Sequence, residues 1–348
     1  MNFSTQLLDA SDPQNIFKAA GLLRRGEVVA IPTETVYGLA ANALDERAVA
    51  KIFEVKGRPS DNPLIVHISS VDDMKALTGQ LPAAALALAE QFWPGPLTMV
   101  LPSSEIIPEL TRAGLDSVGI RLPAHPVARH LIKAAGVPLA APSANLSGRP
   151  SPTSAAHCLE DLSGRVQMIL DGGPCDIGVE STVVSLTEGT PRILRPGAVT
   201  PEQIEQVAGS VVVDPVVYAK PDPGAPVASP GVKHTHYAPK AEVIVLHGDW
   251  ENCRRFLSEQ TGEDVWALVF EEERESCPLP ALSFGPAGNE QAHALRLFAL
   301  LRQLDEKGAR RVYARAPRQE GMGLAVYNRL IRAAGFRQLT VDGSTNNK

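Results

Sequence analysis

The chain has 348 residues, 44% of them hydrophobic and 21% charged, which is the balance of a folded globular protein with room for two domains. Its net charge of −6 lies wholly in residues 1–209, with 16 basic against 22 acidic side chains, and the remainder is neutral, so neither half is a basic nucleic-acid module by bulk charge. There is no apolar run of membrane-spanning length and no basic-then-apolar leader at Met1-Asn2-Phe3-Ser4, and Cys158, Cys175, Cys253 and Cys277 are far apart without a CxxC, so a reduced, cytoplasmic protein without membrane attachment is expected.

Asp12-Pro13 opens the first helix, with Asp as cap and Pro in its first turn; Ile16, Phe17, Ala20 and Leu23 are its expected core face and Gly26 its end. Val28-Val29-Ala30-Ile31 is a buried strand, stopped by Pro32. The polar stretch after it, Thr33-Glu34-Thr35-Val36-Tyr37-Gly38, sits at a strand end, where α/β proteins bind ligands. Asp45 caps a second helix with Val49, Ile52 and Phe53 inward, and that helix runs out at Lys56-Gly57-Arg58. A strand is expected at 64–68, helices near 71–78 and 82–92, and the rigid turn Trp93-Pro94-Gly95-Pro96 leads into a strand at 97–101.

Ser117–Arg121 reads as a short strand ending in arginine, 126–135 as a helix, and 138–141 as a buried extended segment entering Pro142-Ser143-Ala144-Asn145. A helix near 153–161, strands at 168–171 and 192–195 with the stretch Gly178–Val184 between them, and a helix near 201–208 complete residues 1–209. Strands adjacent in sequence, mixed with helices, predict a mixed rather than a purely parallel sheet. Residues 210–240 are proline-rich and read as a linker or arm, ending in Ser229-Pro230-Gly231-Val232-Lys233-His234-Thr235-His236-Tyr237. Residues 241–348 alternate strands near 242–246, 265–270 and 311–315 with helices near 251–260, 288–307 and 321–334, a smaller Rossmann-like α/β domain in which Leu295, Phe298 and Leu301 are a core stripe.

No GxxxxGK[ST], GxSxG or GxGxxG is present, so phosphate-loop, hydrolase-elbow and dinucleotide signatures are set aside. His234 and His236 form an HxH without a recognisable third ligand and read as ordinary polar surface. What stands out is a set of cations at strand and helix ends, Lys56, Arg58, Arg121 and Arg195, with the hydroxyls of Ser117, Ser143, Ser151 and Ser181 at loop edges. Any one of these fits a surface ion pair; together, in an acidic domain, they argue for a small polyanionic ligand.

The motifs PTETVYGL, KGRPSDNPL, WPGPLT, VGIRLPAHP, APSANLSG and GVESTVV, in this order, resemble the threonylcarbamoyl-AMP synthase family, the YrdC-type domain. The SPGVKHTHYAP arm and the domain after it resemble that family's long, two-domain form. The resemblance implies a twisted mixed sheet with helices around a concave cavity, and a nucleotidyltransferase condensing L-threonine, bicarbonate or CO2 and ATP into threonylcarbamoyl-AMP and pyrophosphate. The product would feed a downstream threonylcarbamoyl transferase machinery that modifies tRNA; direct tRNA binding is left open.

Carried over by motif position, Lys56 and Arg58 are the catalytic candidates. Arg58, Asn62, Ser117, Ser143, Ser151, Arg195 and the distant Tyr237 are expected at ATP, with Asn145 as a further candidate. Thr35, His67, Arg121, Ala141 and Ser181 are expected at threonine, with Arg121 as a bidentate partner of its carboxylate. Mg2+ is expected with ATP rather than in a dedicated protein site. Glu34 and Tyr37 are expected to be structural. The rival reading is an RNA-binding module of the YrdC type, against which the acidic charge counts. A second rival, carbamoyl transfer in hydrogenase maturation, would need a longer chain and CxxC pairs.

Overall fold

Asp12 accepts a hydrogen bond from Gln14 N at 2.9 Å, and with Pro13 in the first turn this starts the helix Pro13–Arg24. Ile16, Ala19, Ala20 and Leu23 are buried as a stripe, but Phe17 stands 57% exposed, edge-on to His130. The expected core role of Phe17 is therefore corrected: it lies a third of a turn off the buried stripe. Asp45 likewise caps Glu46–Lys56, and Gly57 in the left-handed region (φ 62°) stops that helix and fixes where Lys56 and Arg58 leave it.

The computed structural model describes residues 3–220 and 237–342. Contacts divide the chain into two units; the first comprises residues up to 147 and from 151 onward, and the second takes 148–150 together with the C-terminal part. Among the described residues the first unit has eleven strands: β1 (Gln6–Asp9), β2 (Val29–Ile31), β3 (Gly38–Asn42), β4 (Ile65–His67), β5 (Leu97–Pro102), β6 (Ser117–Arg121), β7 (Leu139–Ala140), β8 (Met168–Asp171), β9 (Thr182–Ser185), β10 (Arg192–Arg195) and β11 (Val212–Val213). They form one sheet in the order β1-β8-β2-β3-β7-β4-β6-β5-β9-β10-β11. Half the neighbouring pairs are parallel and half antiparallel, so the sheet is mixed, as the sequence predicts.

The alternation of side chains explains where a site can form. In β2 and β3, Ala30, Leu39 and Ala41 enter one core cluster while Val29, Ile31 and Ala40 enter another, so both faces are packed. In the other half of the sheet, Val66, Met99, Leu101, Val118, Ile120, Val184 and Ile193 face the main core. On the opposite face a four-residue cluster, Ile65, Val100, Val183 and Leu194, is interleaved with polar side chains. By strand parity His67, Thr98, Arg121 and Ser181 share that face.

The second unit holds β12 (Glu242–His247), β13 (Val265–Val269), β14 (Ala281–Ser283), β15 (Arg311–Arg315) and β16 (Gln338–Thr340), all parallel, in the order β14-β13-β15-β12-β16. Its long helix Glu290–Glu306 buries Ala294, Leu297, Phe298, Leu301 and Leu304, whereas Leu295 is 42% exposed, which corrects its place in the core stripe. Among the described residues no helix is long and apolar enough to cross a membrane.

Candidate active site

The loop after β2 looks polar in sequence yet is interior: Thr33, Glu34 and Thr35 are each at most 5% exposed. Buried polar groups need partners, and the loop supplies its own. Thr33 Oγ1 donates to Val36 O at 2.5 Å and lies 2.9 Å from Thr35 Oγ1. Tyr37, buried, donates to Gly173 O at 2.6 Å. The carbonyls of Glu34 and Thr35 accept from Ile177 N and Gly178 N at 2.9 and 3.1 Å, which brings the GVEST segment against the loop.

Arg121, the last residue of β6, is the hub. Its Nη2 donates to Glu34 Oε1 at 2.6 Å, Nη1 to Thr35 Oγ1 at 3.0 Å and Nε to Gly95 O at 3.3 Å. Burial pushes the Glu34 carboxyl up, but the charge and hydrogen bond of Arg121 outweigh it and hold the group below the usual carboxylate range. Glu34 therefore already takes part of the guanidinium fork that the sequence reading reserves for a substrate carboxylate. His67 is the direct register partner of Arg121 across β4 and β6. Burial, then the Arg121 charge, push His67 down to about 3, so its ring is neutral, and its Nδ1 has no hydrogen-bond partner among the described residues. Ala141 N donates to Ile65 O at 3.1 Å, placing Ala141 beside the same strand.

Ser181 enters β9 on this face. Its Oγ lies 2.8 Å from Thr98 Oγ1 and accepts from Arg195 Nη2 at 3.1 Å, while Arg195 Nε donates to Ser181 O at 3.0 Å. Gly197 makes this approach possible: a Cβ there would lie 2.3 Å from Thr182 N and 2.7 Å from Ser181 C.

The second group of polar residues gathers around Lys56. The Nζ is buried and donates to Ser143 O, to Asn145 O at 2.7 Å and to Asn145 Oδ1 at 3.4 Å. Burial, then the nearby Arg58 charge, push Lys56 down to about 7. Its protons are directed at the 143–145 loop, so in this structure Lys56 ties that loop to the end of its helix. Arg58 Nη2 donates to Asn62 O at 3.0 Å. Asn62 is fully buried, yet neither atom of its amide has a hydrogen-bond partner among the described residues. Ser151 donates to Glu180 Oε1 at 2.5 Å, so its proton is committed to the protein.

Backbone bonds join the two groups: Leu39 N to Pro142 O, Ala144 N to Tyr37 O and Tyr37 N to Pro152 O, at 2.7, 2.8 and 2.8 Å. The 142–152 loop thus runs along the 37–39 segment. Ser117 is not brought in closely. It starts β6, on the same face as Arg121 but about 13 Å away along the strand. Tyr237 belongs to the second unit, where its ring lies 5.1 Å from that of Phe298 and under the Arg329 guanidinium at 5.9 Å. Pro230, Gly231, His234 and His236 of the arm lie outside the described residues.

Thr98 and Glu180 are the side chains the sequence reading passes over. Thr98 sits inside the apolar strand Leu97-Thr98-Met99-Val100-Leu101, and a hydroxyl in such a run is the signal. Among the described residues no group of three His, Cys, Asp or Glu could hold a metal ion.

A mixed α/β sheet with arginine, neutral histidine and hydroxyls on one face, beside a lysine-pinned loop, offers groups that can hold a small anion. A family model described as "Telomere recombination" matches residues 21–197, and one described as "Threonylcarbamoyl-AMP synthase, C-terminal domain" matches residues 199–335. The chain belongs to the threonylcarbamoyl-AMP synthase family. It is 46% identical to the threonylcarbamoyl-AMP synthase of Pyrococcus abyssi over 93% of this chain and 95% of that one. It is 47% identical to that of Bacillus subtilis over 96% of each. The crystal structure of P. abyssi Sua5 complexed with L-threonine superposes with a TM-score of 0.89 at 44% identity, covering 97% of this chain and 99% of that one. E. coli YciO, at 24% identity and a TM-score of 0.50 over 57% of this chain, shares the fold.

Proposed function

We propose that this chain is an L-threonylcarbamoyladenylate synthase: it condenses L-threonine, bicarbonate or CO2 and ATP into threonylcarbamoyl-AMP and pyrophosphate. The threonine amine takes up CO2 to give a carbamate; a carbamate oxygen attacks the α-phosphorus of ATP, and pyrophosphate leaves. No covalent bond to the protein is needed, so the side chains work by positioning and by stabilising charge.

The observation that carries this reading is the buried constellation of Arg121, Thr35 and neutral His67, on one sheet face with Ser181. Arg121 takes the threonine carboxylate with the N–H groups that Glu34, Thr35 and Gly95 leave over, which keeps that carboxylate away from phosphorus. Thr35, His67 Nδ1, Ser181 and the main chain at Ala141 contact the amine and hydroxyl. Asn62, whose amide has no hydrogen-bond partner among the described residues, faces the nucleotide with Arg58, Ser143, Ser151, Arg195 and Ser117. Lys56 supports that half through the 143–145 loop and by its charge. Mg2+ accompanies the ATP phosphates.

Residues 1–209 form the catalytic domain, 210–240 an arm whose Tyr237 contributes to the nucleotide side, and 241–348 a second domain. The reaction runs in the cytoplasm, and its product passes to a transferase that modifies tRNA. Pyrophosphate release from ATP with bicarbonate tests the reading: it should require threonine, fall with serine, and nearly vanish with valine, which leaves the pocket's polar groups unpaired. Release independent of threonine would refute it.

A further inference from the structure

Thr98 and Ser181 face each other at 2.8 Å, 0% and 1% exposed, and among the described residues Arg195 is the one further side chain that meets either hydroxyl. A guanidinium only donates, so Arg195 Nη2 fills one lone pair of Ser181 Oγ. The two hydroxyls then hold two protons but offer each other one bond. If Ser181 donates to Thr98, the proton left without an acceptor among the described residues is that of Thr98. If Thr98 donates to Ser181, both lone pairs of Ser181 are filled and the proton left over is that of Ser181, at the entry of β9 on the sheet face shared with Arg121 and His67, where a substrate oxygen can take it. Packing fixes which way the Thr98 oxygen faces. Gly119 leaves room for the Thr98 methyl, since a Cβ there would lie 3.2 Å from Thr98 Cγ2, and this turns the hydroxyl toward Ser181.

We infer that Thr98 is a positioning residue that, with Arg195, makes the Ser181 hydroxyl a pure donor aimed at an oxygen of threonine, and so ties the threonine half of the site to the arginine that serves the nucleotide half. The inference rests on the synthase reading above. Ser181 so held cannot accept from the substrate ammonium; it selects an oxygen acceptor, and it is strengthened as a donor by the arginine charge behind it.

The test is steady-state pyrophosphate release by the full chain as wild type, Thr98→Val and Thr98→Ser, with thermal melting of each. Thr98→Val should raise KM for threonine about tenfold, with KM for ATP within about twofold of wild type and kcat less affected. Thr98→Ser, which keeps the hydroxyl and loses the methyl, should restore the threonine KM while melting lower than wild type. A pair that served packing alone would move the melting temperature and leave the ratio of the two KM values in place, and that result would overturn the inference. So would a Thr98→Ser variant as impaired for threonine as Thr98→Val. Should Thr98→Val fail to fold, Thr98→Ala against Thr98→Ser decides the same question. Wild-type release that ignores threonine would instead remove the synthase reading on which the inference rests.

Discussion

Arg121 Nη2 donates to Glu34 Oε1 at 2.6 Å in the interior of the first unit, between residues 87 positions apart in sequence. The pair holds the guanidinium against the loop that carries Thr35, so it sets the direction of the remaining N–H groups, which the proposed function gives to the threonine carboxylate. Removing one partner of a buried pair strands the other charge. Glu34→Ala should lower stability by about 3–5 kcal/mol in urea unfolding. Glu34→Gln, which keeps an acceptor, should lose less and still show a raised KM for threonine. Because the folded carboxyl titrates below its unfolded value of 4.5, its contribution is complete above that value and lost as pH falls through the folded one.

His67 titrates in the opposite chemical sense but with the same sign. Its ring is neutral in the fold down to about 3, against 6.5 when unfolded. Between those values the unfolded chain binds the extra proton, so stability falls as the pH is lowered from 6.5 toward 3, by at most about 1.4 kcal/mol per pH unit for this one group. His67→Leu should flatten that part of the stability–pH curve, measured by urea titration, and weaken threonine use.

Asn62 makes no side-chain hydrogen bond to the described protein although it is fully buried. Asn62→Leu, of similar volume, breaks no protein contact of the amide, so the melting temperature should hold or rise. KM for ATP should rise about tenfold or more, since the proposed function gives the amide the nucleotide as its partner. A large drop in melting temperature with unchanged ATP use would show the side chain to be structural.

Gly197 is held under the backbone of Ser181 and Thr182, where an added Cβ would come within 2.3 Å of Thr182 N. Gly197→Ala must push Ser181 away from Arg195 and Thr98. Activity should fall at least about tenfold and stability by about 1–3 kcal/mol. Restored activity in Gly197→Ala at high threonine would place the defect in substrate binding.

Much of the scaffold is written locally and is legible. Asp12 and Asp45 cap the helices they announce, Gly57 ends the second, and the apolar runs at 28–31 and 97–101 become strands. β3 is not legible, because Gly38-Leu39-Ala40-Ala41-Asn42 looks like the tail of a loop and becomes a strand only by pairing with β2 and β7. The site is legible as a list of residues and not as an arrangement. Nothing local says that Thr33-Glu34-Thr35 is interior, that Arg121 shares its fork with Glu34, or that Lys56 spends its protons on Ser143 and Asn145. Each is a pairing across tens of residues, set by the sheet order. Thr98 was hidden for the converse reason: its apolar neighbours mark it as core, and its partner is 83 residues on.

The central claim is that carbon from bicarbonate is placed between threonine and AMP. It is tested most directly by incubating the full chain with ATP, L-threonine and carbon-13 bicarbonate and weighing the adenylate by mass spectrometry. The account predicts a threonine–AMP conjugate that carries one labelled carbonyl for each pyrophosphate released. A conjugate without label, in which the threonine carboxylate itself has attacked phosphorus, would contradict it.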